Sequence, residues 1–533
     1  MISFGSFEAP VRRSATGTSI VTTAFPAATE AGAVMLRAGG NAVDAAVAAG
    51  WALSVCEPSG SGIGGQGTLL IGTSAGDWTV LDGHSHAPSG LTRANPTREQ
   101  QRRGHRACTV PSLPRTLDEA HRRYGRLSRA TVMAPAIALA AEGFEVSKML
   151  RRHVSWCRGA LAASPFTASL FLPEGKPIAR GSLLRQPQLA ATLERMSVQG
   201  VEDFYEGQLA RAIADDMAHH GGLVTLEDLA GLHAPVERTP LSISYRGHEV
   251  MTAPPPGGGV QVLLGLRLAE ALGLHELPGD DPAWYERMAT VIHTVFRDRA
   301  RWPMAPEDLT PSVVSWMLGR ERAQELVAHL KERAVPVRSA EGPGDTTHLC
   351  VADADGMVVS MTQSIQSLFG AKVANPELGF FYNNYLCTCA RGRHPNRLGP
   401  GALPQSNLAP TVVFRSDSGA RRDPFLVLGA AGSRRITSSI LHVLTRTLDQ
   451  RMDIDSAVAA PRVHATLSGN VMVEAGARSE SLDARLALRF PGQVIPRAHH
   501  SFSLASVQAM QRGDDGRWTG SADPRREGVA HGI

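Results

Sequence analysis

The run Gly344-Asp345-Thr346-Thr347-His348 sets two threonines between a turn of small residues, Glu341-Gly342-Pro343-Gly344, and an extended apolar stretch. A threonine hydroxyl is a weak nucleophile, but a threonine that begins a chain carries its own base, because an α-amine titrates at about 8. Cleavage between Asp345 and Thr346 would create such a residue. Its chemistry would be acyl transfer: the hydroxyl attacks an amide carbonyl while the α-amine takes the hydroxyl proton and hands it to the leaving amine. Water or an acceptor amine then resolves the acyl-enzyme.

A nucleophile of this kind needs a rigid support. Two strands are expected after it, Leu349–Ala352 and Met357–Thr362, joined by Asp353-Ala354-Asp355-Gly356, an Asp-Gly hairpin signal. Upstream, helices are expected over Ala27–Leu53, Leu117–Tyr124, Val132–Glu142, Leu209–His219, Val260–Leu272, Trp284–Arg301 and Val313–Arg333. Further strands are expected at Phe380–Tyr382, Thr411–Phe414 and Phe425–Leu428. Helices packed on two sheets, an α+β fold, fit this order.

From end to end the chain carries ordered motifs. They are Glu30-Ala31-Gly32, Gly39-Gly40-Asn41-Ala42-Val43-Asp44-Ala45-Ala46, Glu57-Pro58 and Gly62-Ile63-Gly64-Gly65. Gly221-Gly222-Leu223, Arg238-Thr239-Pro240, Tyr245-Arg246-Gly247 and Pro254-Pro255-Pro256 follow, then Thr346-Thr347-His348, Phe369-Gly370, Asn383-Asn384 and Ala409-Pro410-Thr411. Together they resemble the γ-glutamyltranspeptidases, self-processing N-terminal-nucleophile hydrolases. The resemblance implies a four-layer αββα sandwich built from one precursor. Residues 1–345 would become a large subunit and residues 346–533 a small one, each the other's partner in one intertwined unit.

It also implies site residues. Thr346 would be the nucleophile and Asp345 the residue cut away, with Ser364 standing where the family has a second threonine that steadies the first. The oxyanion hole falls on Gly432 and Ser433, the second of which replaces a glycine and must accept its backbone geometry. The substrate pocket departs from the pattern. His84 stands where the family has the arginine for the α-carboxylate, and Thr388 where it has the acid for the α-amine. Tyr385, Gln366, Ser406 and Asn407 fill the remaining pocket positions. Arg391, Arg393, Arg397 and Arg434 are candidates to bind a carboxylate, whereas nothing replaces the lost acid.

The expectation is therefore a self-processing threonine hydrolase or acyltransferase that cleaves a γ-glutamyl-like amide with altered acyl specificity. A small-molecule amide or acyl compound would be the substrate, water or an amine the acceptor, and no cofactor or metal would be needed. One alternative is an enzyme for amine-free carboxylated acyl groups, like the relatives that act on cephalosporin side chains or oxamate, or that cleave a carbon–carbon bond in alkylproline pathways. An ordinary glutathione hydrolase and a processed but catalytically silent scaffold are the others.

Composition agrees with an enzyme core: 43% of the residues are hydrophobic and 20% charged, enough to bury a large interior. A net charge of +4 leaves no basic surface for nucleic acid, and Arg102-Arg103, Arg122-Arg123 and Arg151-Arg152 are expected on solvated helix faces. No segment is apolar enough to cross a membrane, Met1–Thr18 lack the apolar core of a signal peptide, and the six cysteines show no disulfide spacing. A cytoplasmic protein is expected. The C-terminal tail around Arg525-Arg526 is expected at the surface.

Three further motifs have plain readings. Gly60-Ser61-Gly62-Ile63-Gly64-Gly65 matches a dinucleotide fingerprint, but the β-like run Thr68–Gly72 follows it where a helix is required, so a tight turn near the active site is expected. His84-Ser85-His86 has no carboxylate or cysteine cluster to complete a metal site, and Cys387-Thr388-Cys389 lacks metal or redox spacing.

Overall fold

The computed structural model describes residues 13–92, 96–303, 306–331, 344–391, 394–415 and 422–533. The turn residues Glu341, Gly342 and Pro343, and the candidate Arg393, lie outside the described residues.

Two seven-stranded sheets form the centre. One runs Ser14–Gly17, Trp518–Ala522, Ser506–Arg512, Pro424–Ala431, Thr411–Phe414, His248–Thr252, Leu241–Tyr245. The other runs Val529–Gly532, Ile20–Thr23, Thr347–Ala352, Val358–Ser364, Gln66–Gly72, Trp78–Gly83, Val236–Arg238. Neighbouring strands are antiparallel in both. Each of these two sheets takes strands from both sides of Thr346, so neither residues 1–345 nor residues 346–533 contain either of them complete.

Side-chain alternation explains the layering. In Thr347–Ala352, Leu349 and Val351 join the core beneath the helices Pro26–Arg37 and Ala42–Cys56, while Cys350 and Ala352 point between the sheets at Val412, Val427 and Met510. A third core packs the helices Gly259–Ala271, Pro282–Arg301 and Arg435–Leu448 on the far side. The result is the α+β sandwich with helices on both outer faces. All fifteen residues of Ala42–Cys56 are buried, and an Asn41–Asp44 capping box starts that helix.

The expected hairpin forms, with Thr347 opposite Gln363 and Ala352 opposite Val358. Gly356 takes φ 92° in its turn. Other boundaries differ from expectation. Ala27–Leu53 is two helices, because Gly39 at φ 86° ends the first and Asn41 caps the second. Val313–Arg333 breaks at Gly319 into Pro311–Leu318 and Arg320–Ala328, with 332 and 333 outside the described residues. Phe380–Tyr382 makes only a single bridge, Ala374 to Phe381, inside an irregular segment. Arg102 and Arg103 sit on a turn rather than a helix. Among the described residues no helix is long and apolar enough to cross a membrane.

His348 belongs to the core. Its Nδ1 is 2.8 Å from Thr362 Oγ1, and burial pushes its imidazole down to about 3. A Cβ at Gly429 on the facing sheet would lie 2.2 Å from His348 Cε1. Gly429→Ala should therefore cost about 1–3 kcal/mol of stability through overpacking, read by chemical denaturation. An unchanged midpoint would show that the sheets can separate there without cost.

Candidate active site

Thr346 is 3% exposed and immediately precedes its strand, while Ser364 ends the neighbouring one. That register brings them together. Thr346 Oγ1 lies 2.6 Å from the Asp345 carbonyl oxygen and 3.1 Å from Ser364 Oγ, and Ser364 Oγ donates to the same carbonyl at 2.9 Å. One carbonyl thus faces a nucleophilic hydroxyl and a polarising donor. The Gln366 amide donates to Ser364 Oγ at 2.8 Å, and Gln366 itself sits at φ 82°, a strained geometry for a non-glycine.

Behind the bond lies a buried charge cluster. The Asp345 carboxylate accepts from the Thr346 amide at 2.9 Å and pairs with Arg526. Arg526 also donates to the Thr346 carbonyl at 2.8 Å and to Glu57 at 2.7 Å. Burial, with the Asp345 charge adding, raises Glu57 to about 7 against the pull of Arg526. His153, held neutral by burial at about 4, lies 3.9 Å from Asp345. Gly60 leaves room for this carboxylate, since a Cβ there would approach it to 2.9 Å. The glycine-rich segment is thus packed beside the Asp345–Thr346 bond.

The C-terminal tail is therefore not at the surface. Arg525 is buried against Glu474 and Asp523, and that network delivers Arg526 to the back of Thr346. No periodicity marks Arg526 in the sequence, because its partners are up to 469 positions away.

In front of Thr346 opens a cavity of about 540 Å3. Gln366, Tyr385, Thr388, Ser406 and Asn407 line it, as do Ser433 and Arg434. Ser433 adopts φ 59°, so it accepts the left-handed backbone of the glycine it replaces, and Gly432 beside it has φ 140°. Both precede the helix Arg435–Leu448, whose first turn brings a positive dipole end to the cavity wall. Tyr385 is buried with its hydroxyl beside Ser364 and Gln66, and burial pushes that phenol up. Thr388 Oγ1 donates to the Tyr385 carbonyl at 2.9 Å.

His84 is not in the cavity wall. It is 4% exposed and its Nδ1 pairs with Asp82, which also holds Arg238; the His84 charge and its hydrogen bond keep Asp82 down at about 2 despite burial. The imidazole is consumed by a structural ion cluster. Arg391 is likewise occupied, donating to Gln101 and the Pro96 carbonyl, and Arg397 is exposed away from the cavity.

Other cations take their place. Arg102, Arg103, Arg299, Lys372 and Arg435 line the cavity with Arg434, and among the described residues no Asp or Glu does. Arg299 donates to Asn407 Oδ1 and the Ser406 carbonyl, both at 2.7 Å, and pairs with no carboxylate among the described residues. Burial and the neighbouring Arg434 charge push it down to about 10. Sequence reading missed Arg299, yet a signal existed: it falls three and four residues after Phe296 and Val295, on the apolar face of its helix.

The family model described as gamma-glutamyltranspeptidase matches residues 28–533. The glutathione hydrolase proenzyme of Escherichia coli (strain K12) is 30% identical, the alignment covering 93% of this chain and 89% of that protein. The acylase ACY 1 proenzyme of Pseudomonas sp. (strain SE83) is 34% identical over 96% of this chain and 93% of its own. The crystal structure of cephalosporin acylase from Bacillus halodurans superposes with a TM-score of 0.87 at 28% identity, covering 100% of this chain and 99% of that one. These matches across the two sheets and the Thr346 cluster make the chain a member of the gamma-glutamyltranspeptidase family of hydrolases and acyltransferases.

Proposed function

We propose that this protein is a self-cleaving threonine amidohydrolase for acyl groups that carry a carboxylate but no α-amine, such as monoamides of short dicarboxylic acids. The observation that carries the reading is a cavity in front of Thr346 walled by cations with no carboxylate among its described residues. A γ-glutamyl group would bring an ammonium into that wall with no carboxylate among the described lining residues to face it, a several-fold to many-fold penalty. A dicarboxylic monoamide brings only the anion, which Arg299 and its neighbours can pair. Relatives named acylase and cephalosporin acylase stand beside the glutathione hydrolases among the similar proteins, so an acyl group other than γ-glutamyl is compatible with the family.

In this reading each residue has a role that its position supports. Thr346 attacks first its own preceding carbonyl and later the substrate amide, its α-amine serving as the base in the second reaction. Ser364 positions and polarises, Gly432 and Ser433 supply backbone donors to the oxyanion, and Asp345 ends the large subunit. Gln366, Tyr385, Thr388, Ser406 and Asn407 shape the acyl pocket.

Hydrolysis of two chromogenic anilides that differ only in the α-amine, glutaryl and γ-glutamyl, tests this on cleaved protein, with and without a dipeptide acceptor. The glutaryl anilide should be favoured at least about tenfold in kcat/KM. Preference for the γ-glutamyl anilide would identify a glutathione hydrolase instead. Cleaved protein inert to both and to an acylating trap would point to a silent scaffold.

A further inference from the structure

We propose that Arg526 is a positioning residue in both stages of Thr346 chemistry, with Glu57 as its reserve counter-ion. In the precursor it grips the carboxylate of Asp345 and the carbonyl of Thr346. In the mature protein it faces the new α-amine and favours the neutral form that can accept a proton.

The geometry is specific to this bond. Arg526 reaches both residues flanking the scissile linkage, through the Asp345 side chain and the Thr346 carbonyl oxygen. Its side chain is 3% exposed and that of Asp345 0%. The guanidinium therefore restrains the peptide from the side opposite the cavity.

Cleavage balances without another catalyst. Thr346 Oγ1 bonds to the Asp345 carbonyl carbon, and the carbon–nitrogen bond breaks. Nitrogen keeps the electron pair and receives the hydroxyl proton, leaving an ester and a free α-amine. Water then adds across the ester: its oxygen goes to the Asp345 carbonyl carbon, one hydrogen restores the Thr346 hydroxyl and the other is released as a proton, leaving the Asp345 α-carboxylate.

The charge count changes at that moment. Before cleavage one guanidinium serves two acids, and Glu57, the outer one, holds its proton up to about pH 7. Once Asp345 withdraws with its chain end, Glu57 alone balances Arg526. The amine that replaces the Thr346 amide starts from a nitrogen 2.9 Å from the carboxylate oxygen that Arg526 grips. A fixed cation this close disfavours protonation of an amine. The groups surrounding it are Arg526 from the tail, Glu57 after the helix Ala42–Cys56, neutral His153 from Lys148–Leu161, Tyr385, and Arg434 at the cavity.

The inference rests on Thr346 as nucleophile but not on the acyl group. Its test uses the full chain as wild type, Arg526→Gln, Arg526→Lys and Glu57→Gln. Cleavage at Thr346 is followed by intact-mass spectrometry. The cleaved fraction is then acylated by a small β-lactone, and the rate of Thr346 labelling is measured against pH. This readout needs no substrate, so failure of the dicarboxylic reading would appear separately, as absent anilide turnover with normal labelling.

Arg526→Gln should slow cleavage about tenfold or more and move the acid limb of labelling up by about one pH unit, since removing a nearby cation makes the amine easier to protonate. Arg526→Lys should keep the limb within a few tenths of a unit. Glu57→Gln removes an anion and should move the limb down. If Arg526→Gln does not mature at all, the Glu57→Gln shift decides alone. An acid limb that stays in place in Glu57→Gln and in any cleaved Arg526→Gln would overturn the proposal.

Discussion

Thr346→Ala should remain a single 533-residue chain and lose turnover of any amide by at least about 10⁴-fold. The expectation follows from one atom serving both reactions. Thr346 Oγ1 is the hydroxyl 2.6 Å from the Asp345 carbonyl oxygen, and the α-amine that would act as its base does not exist until that bond is cut. Loss of the hydroxyl therefore removes the nucleophile directly and the base indirectly. Folding should survive, because only a hydroxyl and one methyl are removed and the strand hydrogen bonds are made by the backbone. Thr346→Ser keeps the hydroxyl and should still mature. Intact-mass spectrometry over time reads both variants; appearance of the fragment beginning at residue 346 in the alanine variant would remove the self-cleavage reading.

Arg299→Met should lower kcat/KM for the glutaryl anilide by about 10²- to 10³-fold, the usual cost of leaving a buried charge without its partner. The same variant should hydrolyse an uncharged acyl anilide of equal length as well as wild type does, or better. This opposite response separates charge pairing from general damage to the pocket. Stability should change little, within about 1 kcal/mol. Removal of a cation that pairs with no carboxylate among the described residues offsets the loss of donors to Asn407 Oδ1 and the Ser406 carbonyl. Parallel losses on charged and neutral acyl groups would sink the assignment of Arg299 to the acyl carboxylate. The pH response has a clear sign: burial and Arg434 lower Arg299 only to about 10, so it stays protonated at neutral pH and binding of the anion should weaken only in strong base.

Much of the frame was legible before any coordinates. The Asp-Gly turn predicted the hairpin that carries Thr346 and Ser364, because turn chemistry and strand alternation act over a few residues. The tight turn expected of Gly60–Gly65 also formed, with Gly60 against Asp345. Boundaries failed where local caps competed with periodicity, as at Gly39 and Asn41, which divide one apolar pattern into two helices.

The sequence by itself singled out Thr346 as the candidate nucleophile, placed Ser364 on the same hairpin, and set His84 and Thr388 where the family resemblance implies charged anchors. Only the tertiary structure decided which side chains line the cavity. His84 is turned into an ion cluster with Asp82, while Arg299 and Lys372, ordinary by position, converge with Arg434 on one cavity. Arg526, expected on a surface tail, arrives behind the Asp345–Thr346 bond. The physical reason is range. Hydrogen bonding in turns and strands depends on adjacent residues, whereas the charge of a cavity is a sum over side chains that only the packing of two sheets and their helices brings within Coulombic reach.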